Sequence, residues 1–269
     1  MKQIFSWVLL ISFLVSCTTN LVTGRKQLSL VSEAELQTVA KQEYQNFLST
    51  NKLVSTSASR DAEMVRRVGN RIARAIKTYY DGKGQTSILE GYQWEFNLID
   101  SKDVNAWCMP GGKVVVYTGL LPVTQNEAGL AIVMGHEIAH AVAQHGSERM
   151  SQGLLQQLGG TALQIALANR PAETQNLFMT AYGVGSNIGV MLPFSRSAES
   201  EADKFGLYFA AMAGYNPQEA IPFWQRMSSA GGGSKPPQFL SSHPADETRI
   251  AKLKAHMPQA LKYYKPFTR

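Results

Sequence analysis

The sequence predicts an α+β fold that is mainly helical, and three observations lead to that expectation. Apolar residues recur at the helical period over residues 60–80, which predicts an amphipathic helix. Trp94, Phe96 and Leu98 instead alternate with polar residues, as in a half-buried strand. A short apolar run at 114–117 follows a Pro-Gly-Gly turn and predicts a second strand.

The first segment of the chain, residues 1–17, is predicted to be a signal peptide. Lys2 supplies a positive start, and the apolar run at 4–15 is too short to span a membrane. The run ends in Leu-Val-Ser-Cys, which resembles a bacterial lipobox with Cys17 as the lipid attachment site. The alternative is an ordinary signal peptide that ends in a cysteine. Thr18, where an inner-membrane lipoprotein would have Asp, favours an exported lipoprotein of the outer membrane that faces the periplasm.

The remaining residues, 18–269, are expected to form a single domain, because no linker or internal repeat divides them. The net charge of +6 is spread along the chain, and no basic stripe with interleaved aromatics is present, so nucleic acid is not an expected partner. No run of about 20 apolar residues follows the signal, which excludes a membrane-embedded transporter or intramembrane protease. If Cys17 carries lipid, Cys108 has no disulfide partner. Cys108 is then expected to be a small buried hydrophobe, with a metal ligand or nucleophile as the alternative.

Capping boxes predict two of the helix starts. Ser32 and Glu35 predict a helix that runs to about Phe47, and Thr124 with Glu127 predicts the start of a helix that continues to about Met150. The helix over 60–80 is expected to stop at Asp81-Gly82. Further along, residues 154–192 are expected to form packed helical pieces, with an interfacial segment as the alternative. Residues 198–213 are expected to form a helix, 231–234 a flexible loop, and 244–256 a last helix with His243 at its N-cap.

The string His136-Glu137-Ile138-Ala139-His140 lies inside one of these predicted helices. Residues four apart share one helix face, so both imidazoles can bind a single tetrahedral Zn²⁺. Glu137 is placed to act as general base for a zinc-activated water that attacks a peptide carbonyl. His145 is a further candidate ligand, but it lies five positions after His140, about 140° away around the helix, and is expected to face elsewhere. The alternative for the two histidines is a pair satisfied by core hydrogen bonds.

A catalytic zinc needs a third protein ligand, and the predicted helix over 198–213 is the best source. Glu199 is assigned as that ligand, with Asp203 one turn below it to accept the free N–H of a ligating imidazole. Ala202 and Gly206 on that side are small, and they are expected to let this helix approach the metal helix closely. Glu201 stays open as the alternative ligand.

Together, the two motifs resemble those of the gluzincin peptidases related to the CAAX prenyl protease and heat-shock protease X. From Thr23-Gly24-Arg25 onward, over roughly residues 22–249, the chain is similar to the soluble, exported branch typified by the β-barrel assembly-enhancing protease. That protease continues into tetratricopeptide repeats, whereas this chain stops at Arg269. The resemblance implies a zincin-type core with a small sheet, in which the strand at 113–117 is an exposed edge that binds extended substrate. From the sequence alone, a plain core strand is the alternative. The resemblance also implies that His243 can plug the zinc site or assist the transition state.

The expected function is therefore a metalloendopeptidase that holds one Zn²⁺ per chain and cleaves unfolded or misassembled cell-envelope proteins, in envelope quality control. Its expected partners are protein or peptide substrates and a membrane reached through the lipid anchor. The competing hypothesis is a chaperone or binding module that contains zinc but is inactive or plugged by His243. The sequence does not indicate an oligomeric state.

Overall fold

The computed structural model describes residues 17–153, 194–230, 237–243 and 248–267. The elements, in chain order, are β1 (Cys17–Thr19), β2 (Lys26–Leu28), α1 (Glu33–Thr50), α2 (Arg60–Asp81), β3 (Glu95–Ile99), β4 (Ala106–Met109), β5 (Lys113–Tyr117), α3 (Leu121–Thr124), α4 (Glu127–Val142), α5 (Arg196–Met212), α6 (Ala220–Ala230), α7 (Gln238–Ser242) and α8 (Arg249–Tyr263). The expected α+β, mainly helical fold is confirmed. The predictions for residues 1–16, for 154–192 and for 231–234 lie outside the described residues.

A three-stranded sheet in the order β3-β5-β4 forms the centre of the fold. Strands β3 and β5 are parallel, whereas β4 and β5 form an antiparallel hairpin. Side chains alternate across this sheet, as the pleat requires. Leu98, Val114 and Val116 pack on one face with α2 and α4, whereas Trp107 and Val115 pack on the other face with α1. The sheet is therefore a middle layer between helices.

The prediction that residues 113–117 form an exposed edge strand was wrong. Strand β5 is central, and the edge of the sheet next to it is β4, whose residues 106–109 the sequence did not predict as a strand. The physical reason is that β5 is buried along its whole length, as an unbroken apolar run such as Val114–Val116 favours. Cys108, on β4, is buried as expected of a small hydrophobe.

The predicted start of α1 is confirmed, whereas the predicted start of α4 is not. Ser32 and Glu35 form the expected capping box at α1. The start of α4 was placed two residues too early, because Asn126 is its N-cap and accepts a hydrogen bond from the Gly129 amide. Thr124 instead ends α3, where its hydroxyl donates to the Leu121 carbonyl.

The predicted continuation of α4 to Met150 was also wrong. The helix ends at Val142, and Gln144 adopts a left-handed conformation with φ of 54°. Residues 145–153 are helical again, but in a new direction. Because of this break, the side chains after residue 143 do not point in the directions that a continuation of α4 would give them.

The last helix also differs from its prediction. It spans Arg249–Tyr263 with Thr248 at its N-cap, and it contains Pro258. His243 is the C-cap of the short helix α7 and not an N-cap of the last helix. Among the described residues, none of the helices combines the length and hydropathy needed to cross a membrane. Cys17, the predicted lipid attachment site, is exposed at the start of β1.

Helices α4 and α5 meet at backbone contact, through glycines. A Cβ on Gly206 would lie 2.6 Å from the His136 amide nitrogen, and a Cβ on Gly135 would lie 2.7 Å from the Gly206 carbonyl oxygen. Both distances are well inside van der Waals contact, so only glycine fits at this crossing. The close approach expected from Gly206 is therefore present, and it sets the distance between the two helices that carry the motif residues.

We expect Gly206→Ala to destabilise the protein by about 1–3 kcal/mol, because the added methyl group must push α5 away from α4. Thermal unfolding followed by circular dichroism measures the change. Lys204→Ala, a partly exposed position on the same helix, is the control and should change stability by less than about 0.5 kcal/mol. Equal stability of the Gly206 variant and wild type would contradict the close-contact explanation.

Candidate metal centre

The two histidines of the HEIAH string lie in the last two turns of α4. His136 and His140 are almost completely buried, and their Nε2 atoms lie 3.1 Å apart. The spacing follows from the helix, since residues four apart project from one face. Burial holds the pKa of His140 well below its ordinary value, with Glu199 opposing that effect, so its imidazole is kept neutral. A neutral imidazole is the form that binds a metal.

Glu199, in the first turn of α5, meets this pair. Its Oε1 lies 3.3 Å from His140 Nε2, and its Oε2 lies 3.5 Å from His136 Nε2. Burial alone would raise the pKa of this carboxyl, but His243, His140 and His136 outweigh it and hold the pKa well below the ordinary value. Glu199 therefore presents a carboxylate to the two imidazoles, at the position where the sequence expects one.

His243 completes the group from a third segment, at the end of α7. Its Nδ1 lies 2.9 Å from Glu199 Oε1 and 3.2 Å from His136 Nε2. Its ring stacks on Phe239, with 4.4 Å between the ring centroids, and this contact fixes the orientation of the imidazole. The side chain is buried, and it lies among the other three rather than at the rim of the site.

These four side chains fit a zinc ion. One ligand atom from each of His136, His140, Glu199 and His243 lies within 4.8 Å of the others. Zn–N bonds of about 2.0–2.1 Å at tetrahedral angles imply about 3.4 Å between ligand atoms, close to the 2.9–3.5 Å separations that join most pairs of this group. Imidazole nitrogen and carboxylate oxygen are also the donor types that zinc prefers. The donor set is therefore suited to one zinc ion.

A second layer of charged groups holds the candidate ligands in place. Asp203 Oδ1 lies 3.0 Å from His136 Nδ1, where it can accept the N–H of an imidazole whose Nε2 faces the metal. Arg249 donates to both acids, at 2.7 Å to Asp203 Oδ2 and 2.5 Å to Glu199 Oε2, and its guanidinium lies over Trp224. The two carboxylates are thus paired with a buried cation and also lie within contact distance of the imidazoles.

Sequence reasoning did not find Arg249, although one signal was available. Arg249 falls on the same face of α8 as the buried Leu253, Met257 and Ala260. An arginine on an apolar helix face is expected to have a buried anionic partner.

Glu137 is buried beside the four candidate ligands. Its Oε1 lies 3.4 Å from His243 Nε2, but the alignment gives no hydrogen bond, and this oxygen has no hydrogen-bond partner among the described residues. Burial raises the pKa of the Glu137 carboxyl to about 8, with His136 opposing the rise. A divalent cation nearby favours the ionised carboxylate, so metal binding lowers this pKa. A buried oxygen without a hydrogen-bond partner is available to bind an incoming water or substrate molecule.

A small cleft opens beside these residues. Glu137, His140 and His243 line it together with residues 105–108, which lie on and just before the edge strand β4. The sheet edge and the candidate metal centre therefore share one cavity.

The prediction that His145 faces away from the site was wrong. Its Nδ1 lies 3.1 Å from His140 Nδ1, because the break at Ala143 and Gln144 turns the chain back towards α4. Glu201, the alternative third ligand, does not join the metal cluster. Its Oε2 lies 2.9 Å from His145 Nε2, on the far side of that ring.

Comparison with known proteins gives a family with the same chemistry. Residues 59–257 match the family model described as "Peptidase family M48". Mitochondrial metalloendopeptidase OMA1 of Saccharomyces cerevisiae is 32% identical over 193 residues, which cover 69% of this chain and 53% of that protein. Metalloendopeptidase OMA1 of Bos taurus is 32% identical over 265 residues, covering 96% of this chain and 49% of that protein. Beta-barrel assembly-enhancing protease of Escherichia coli is 32% identical over 165 residues, which cover 59% of this chain and 33% of that protein.

The chain spans about half the length of these two OMA1 relatives. The relatives as a group come from mitochondria as well as from bacteria, so the likeness extends beyond the exported branch named from the sequence. The matched residues contain the HEIAH helix, α5 and His243, and the donor set supports one zinc ion as cofactor. Because the family model covers most of the chain and includes all four candidate ligands, the chain belongs to peptidase family M48.

Proposed function

We propose that the chain is a zinc-dependent metalloendopeptidase that hydrolyses peptide bonds of unfolded or misassembled cell-envelope proteins. The observation that carries the proposal is the buried cluster of His136, His140 and Glu199, with the unpartnered carboxylate of Glu137 beside it. A bound zinc ion supplies Lewis-acid polarisation of a peptide carbonyl. In this assignment His136, His140 and Glu199 hold the metal, and Asp203 orients His136.

Glu137 is the general base of the proposal. It removes a proton from the water that attacks the peptide carbonyl, and it returns a proton to the leaving amine. Its position in the wall of the cleft that residues of β4 also line supports this role. An extended peptide can add to the edge of a sheet through backbone hydrogen bonds, which gives little selectivity among side chains. Such binding suits unfolded segments rather than folded proteins.

The location of the proposed activity follows from the amino-terminal residues. We assign residues 1–17 as a signal peptide with lipid attachment at Cys17, and the remaining chain as one metallopeptidase domain. The name of the E. coli relative, an assembly-enhancing protease for β-barrels, supports a role in the bacterial envelope, whereas the OMA1 relatives are mitochondrial. We place the protein at the periplasmic face of the outer membrane, in envelope quality control.

The experiment that tests this function measures zinc content and proteolysis on the same purified protein. Mass spectrometry should give about one zinc per chain, and a casein digest should stop when a chelator is added and resume when zinc is returned. Zinc-loaded protein that leaves denatured casein intact would count against the peptidase assignment. A casein digest that continues in the presence of chelator would count against a zinc-dependent activity.

A second candidate state is a self-closed site, and the position of His243 Nδ1 among the other three ligand atoms favours it. Four protein ligands give a closed zinc site, whereas catalysis needs an open position. We expect His243→Ala to raise kcat/KM for a denatured substrate about tenfold, which corresponds to removing roughly 1.4 kcal/mol of closure. The alternative function, an inactive chaperone or binding module, requires that neither wild type nor His243→Ala cleaves the substrate when zinc is bound.

The assay compares wild type and His243→Ala at equal zinc occupancy. His256→Ala is the control, since this histidine is near Tyr208 and is not part of the metal cluster. A fall in rate for the His243 variant would overturn the self-closed state and would assign His243 to the transition state instead.

A further inference from the structure

The amino-terminal hairpin, residues 17–28, is bonded to the break that follows α4. Asn20 Nδ2 donates to the Ala143 carbonyl at 2.9 Å. Gln27 Nε2 donates to the same carbonyl at 3.2 Å and to the Gln144 carbonyl at 3.3 Å. Both side chains are buried. These bonds satisfy the Ala143 carbonyl at the end of α4, whereas the Gln144 carbonyl also accepts a hydrogen bond from the Glu148 amide at 3.1 Å. They hold the conformation that brings His145 back to His140.

Arg25, in the same hairpin, joins two acids from different parts of the chain. Its guanidinium donates to both oxygens of Glu148, at 2.7 and 2.6 Å, and to both oxygens of Glu201, at 2.9 and 3.2 Å. All three side chains are partly buried. Hydrogen bonding to Glu148 raises the pKa of Arg25, and the fork geometry of guanidinium suits paired carboxylates. The hairpin is thereby fixed to α5 as well as to the break.

From Glu201 a line of contacts leads to the candidate metal ligand His140. Glu201 Oε2 lies 2.9 Å from His145 Nε2, and His145 Nδ1 lies 3.1 Å from His140 Nδ1. If His140 binds metal through Nε2, its hydrogen is on Nδ1 and can be donated to His145 Nδ1. His145 then has its hydrogen on Nε2 and donates it to Glu201. One tautomer of each ring satisfies every contact in this line.

We propose that Arg25, Glu201 and His145 are positioning residues for the metal ligand His140, so that the amino-terminal hairpin completes the zinc centre. The proposal rests on the proposed function, since it assumes that His140 binds zinc. Arg25 precedes the residues matched by the family model, which begin at 59. The metal centre therefore depends on a segment outside the matched region. Because that segment begins at Cys17, a lipid on this cysteine would place the membrane anchor eight positions from Arg25.

The two acids of Arg25 provide a matched pair for the test. Glu148 and Glu201 each form a bidentate pair with the same guanidinium, but of the two only Glu201 also contacts His145. If Arg25 merely fastens the hairpin, Glu148→Gln and Glu201→Gln should have the same effect on the metal centre. If the line of contacts positions His140, only Glu201→Gln should weaken zinc binding.

The experiment measures the zinc dissociation constant of the purified full-length chain by competition with a chromophoric chelator. We expect Glu201→Gln to weaken zinc binding by about 10–100-fold, and Glu148→Gln by less than about threefold. The visible absorption spectrum of the cobalt-substituted protein is the second readout. It should change in the Glu201 variant and stay as in wild type in the Glu148 variant, because the cobalt bands report ligand geometry.

A thermal melt of each metal-free variant checks folding, and His145→Gln replaces Glu201→Gln if the latter does not fold. Equal zinc dissociation constants for the Glu148 and Glu201 variants would overturn the positioning role while leaving the proposed function intact. Wild-type protein that binds no zinc would instead overturn the proposed function itself, so the two failures are distinguishable.

Discussion

Replacement of Glu137 by glutamine is expected to lower kcat for peptide hydrolysis by about 10²–10⁴-fold, the usual contribution of a general base. Glutamine preserves the shape of the side chain but cannot accept the proton. The buried, unpartnered Oε1 of Glu137 is the reason to expect so large an effect from one atom. The zinc dissociation constant should stay near the wild-type value, because Glu137 is not one of the four clustered ligand residues.

Initial rates on a denatured protein, measured at saturating substrate and equal zinc occupancy, test this expectation. Glu127→Gln is the matched control, since Glu127 lies on the same helix but pairs with Arg67 at its far end. Its rate should change by less than about threefold. A Glu137 variant with unchanged kcat would remove Glu137 from the mechanism, whereas a variant that loses zinc would assign it a part in metal binding.

Replacement of Glu199 by alanine is expected to weaken zinc binding by about 10²–10³-fold. Structural zinc sites with four ligands have apparent binding free energies of roughly 10–16 kcal/mol, so one ligand contributes about 2.5–4 kcal/mol. Glu199 supplies the only carboxylate in the cluster found among the described residues. Its removal also takes away one of the two acids that Arg249 contacts, so that Arg249 pairs with Asp203 alone and the negative charge beside the imidazoles falls by one.

Chelator competition on Glu199→Ala, with Glu219→Ala as the control, measures the effect. Glu219 pairs with Arg226 and is not part of the metal cluster. The comparison with Glu201→Gln decides the assignment that the sequence left open. If Glu199 is the ligand, the Glu199 variant should lose more zinc affinity than the Glu201 variant. The reverse order would make Glu201 the ligand.

The parts of the site that the sequence predicts are those set by the regular geometry of a helix. His136 and His140 share a face of α4, and Glu199 and Asp203 share a face of α5, because residues four apart do so on any helix. Gly206 signals close contact because a residue without a side chain between two helices leaves room for backbone. These inferences need no knowledge of the rest of the chain.

The parts that the sequence did not predict depend on contacts between distant segments. His145 approaches His140 because Asn20 and Gln27 hold the break after α4, more than a hundred residues away in sequence. Strand β4 was missed because it is buried on both faces and shows no alternation of polar and apolar residues. In both cases tertiary contacts override the local pattern that a sequence displays.

The most direct test of the central claim is anomalous diffraction at the zinc absorption edge, from crystals of the zinc-loaded protein. The claim requires a single anomalous peak within bonding distance, about 2.0–2.2 Å, of His136 Nε2, His140 Nε2 and a carboxylate oxygen of Glu199. A peak at any other site, or zinc bound by the two histidines without Glu199, would contradict it.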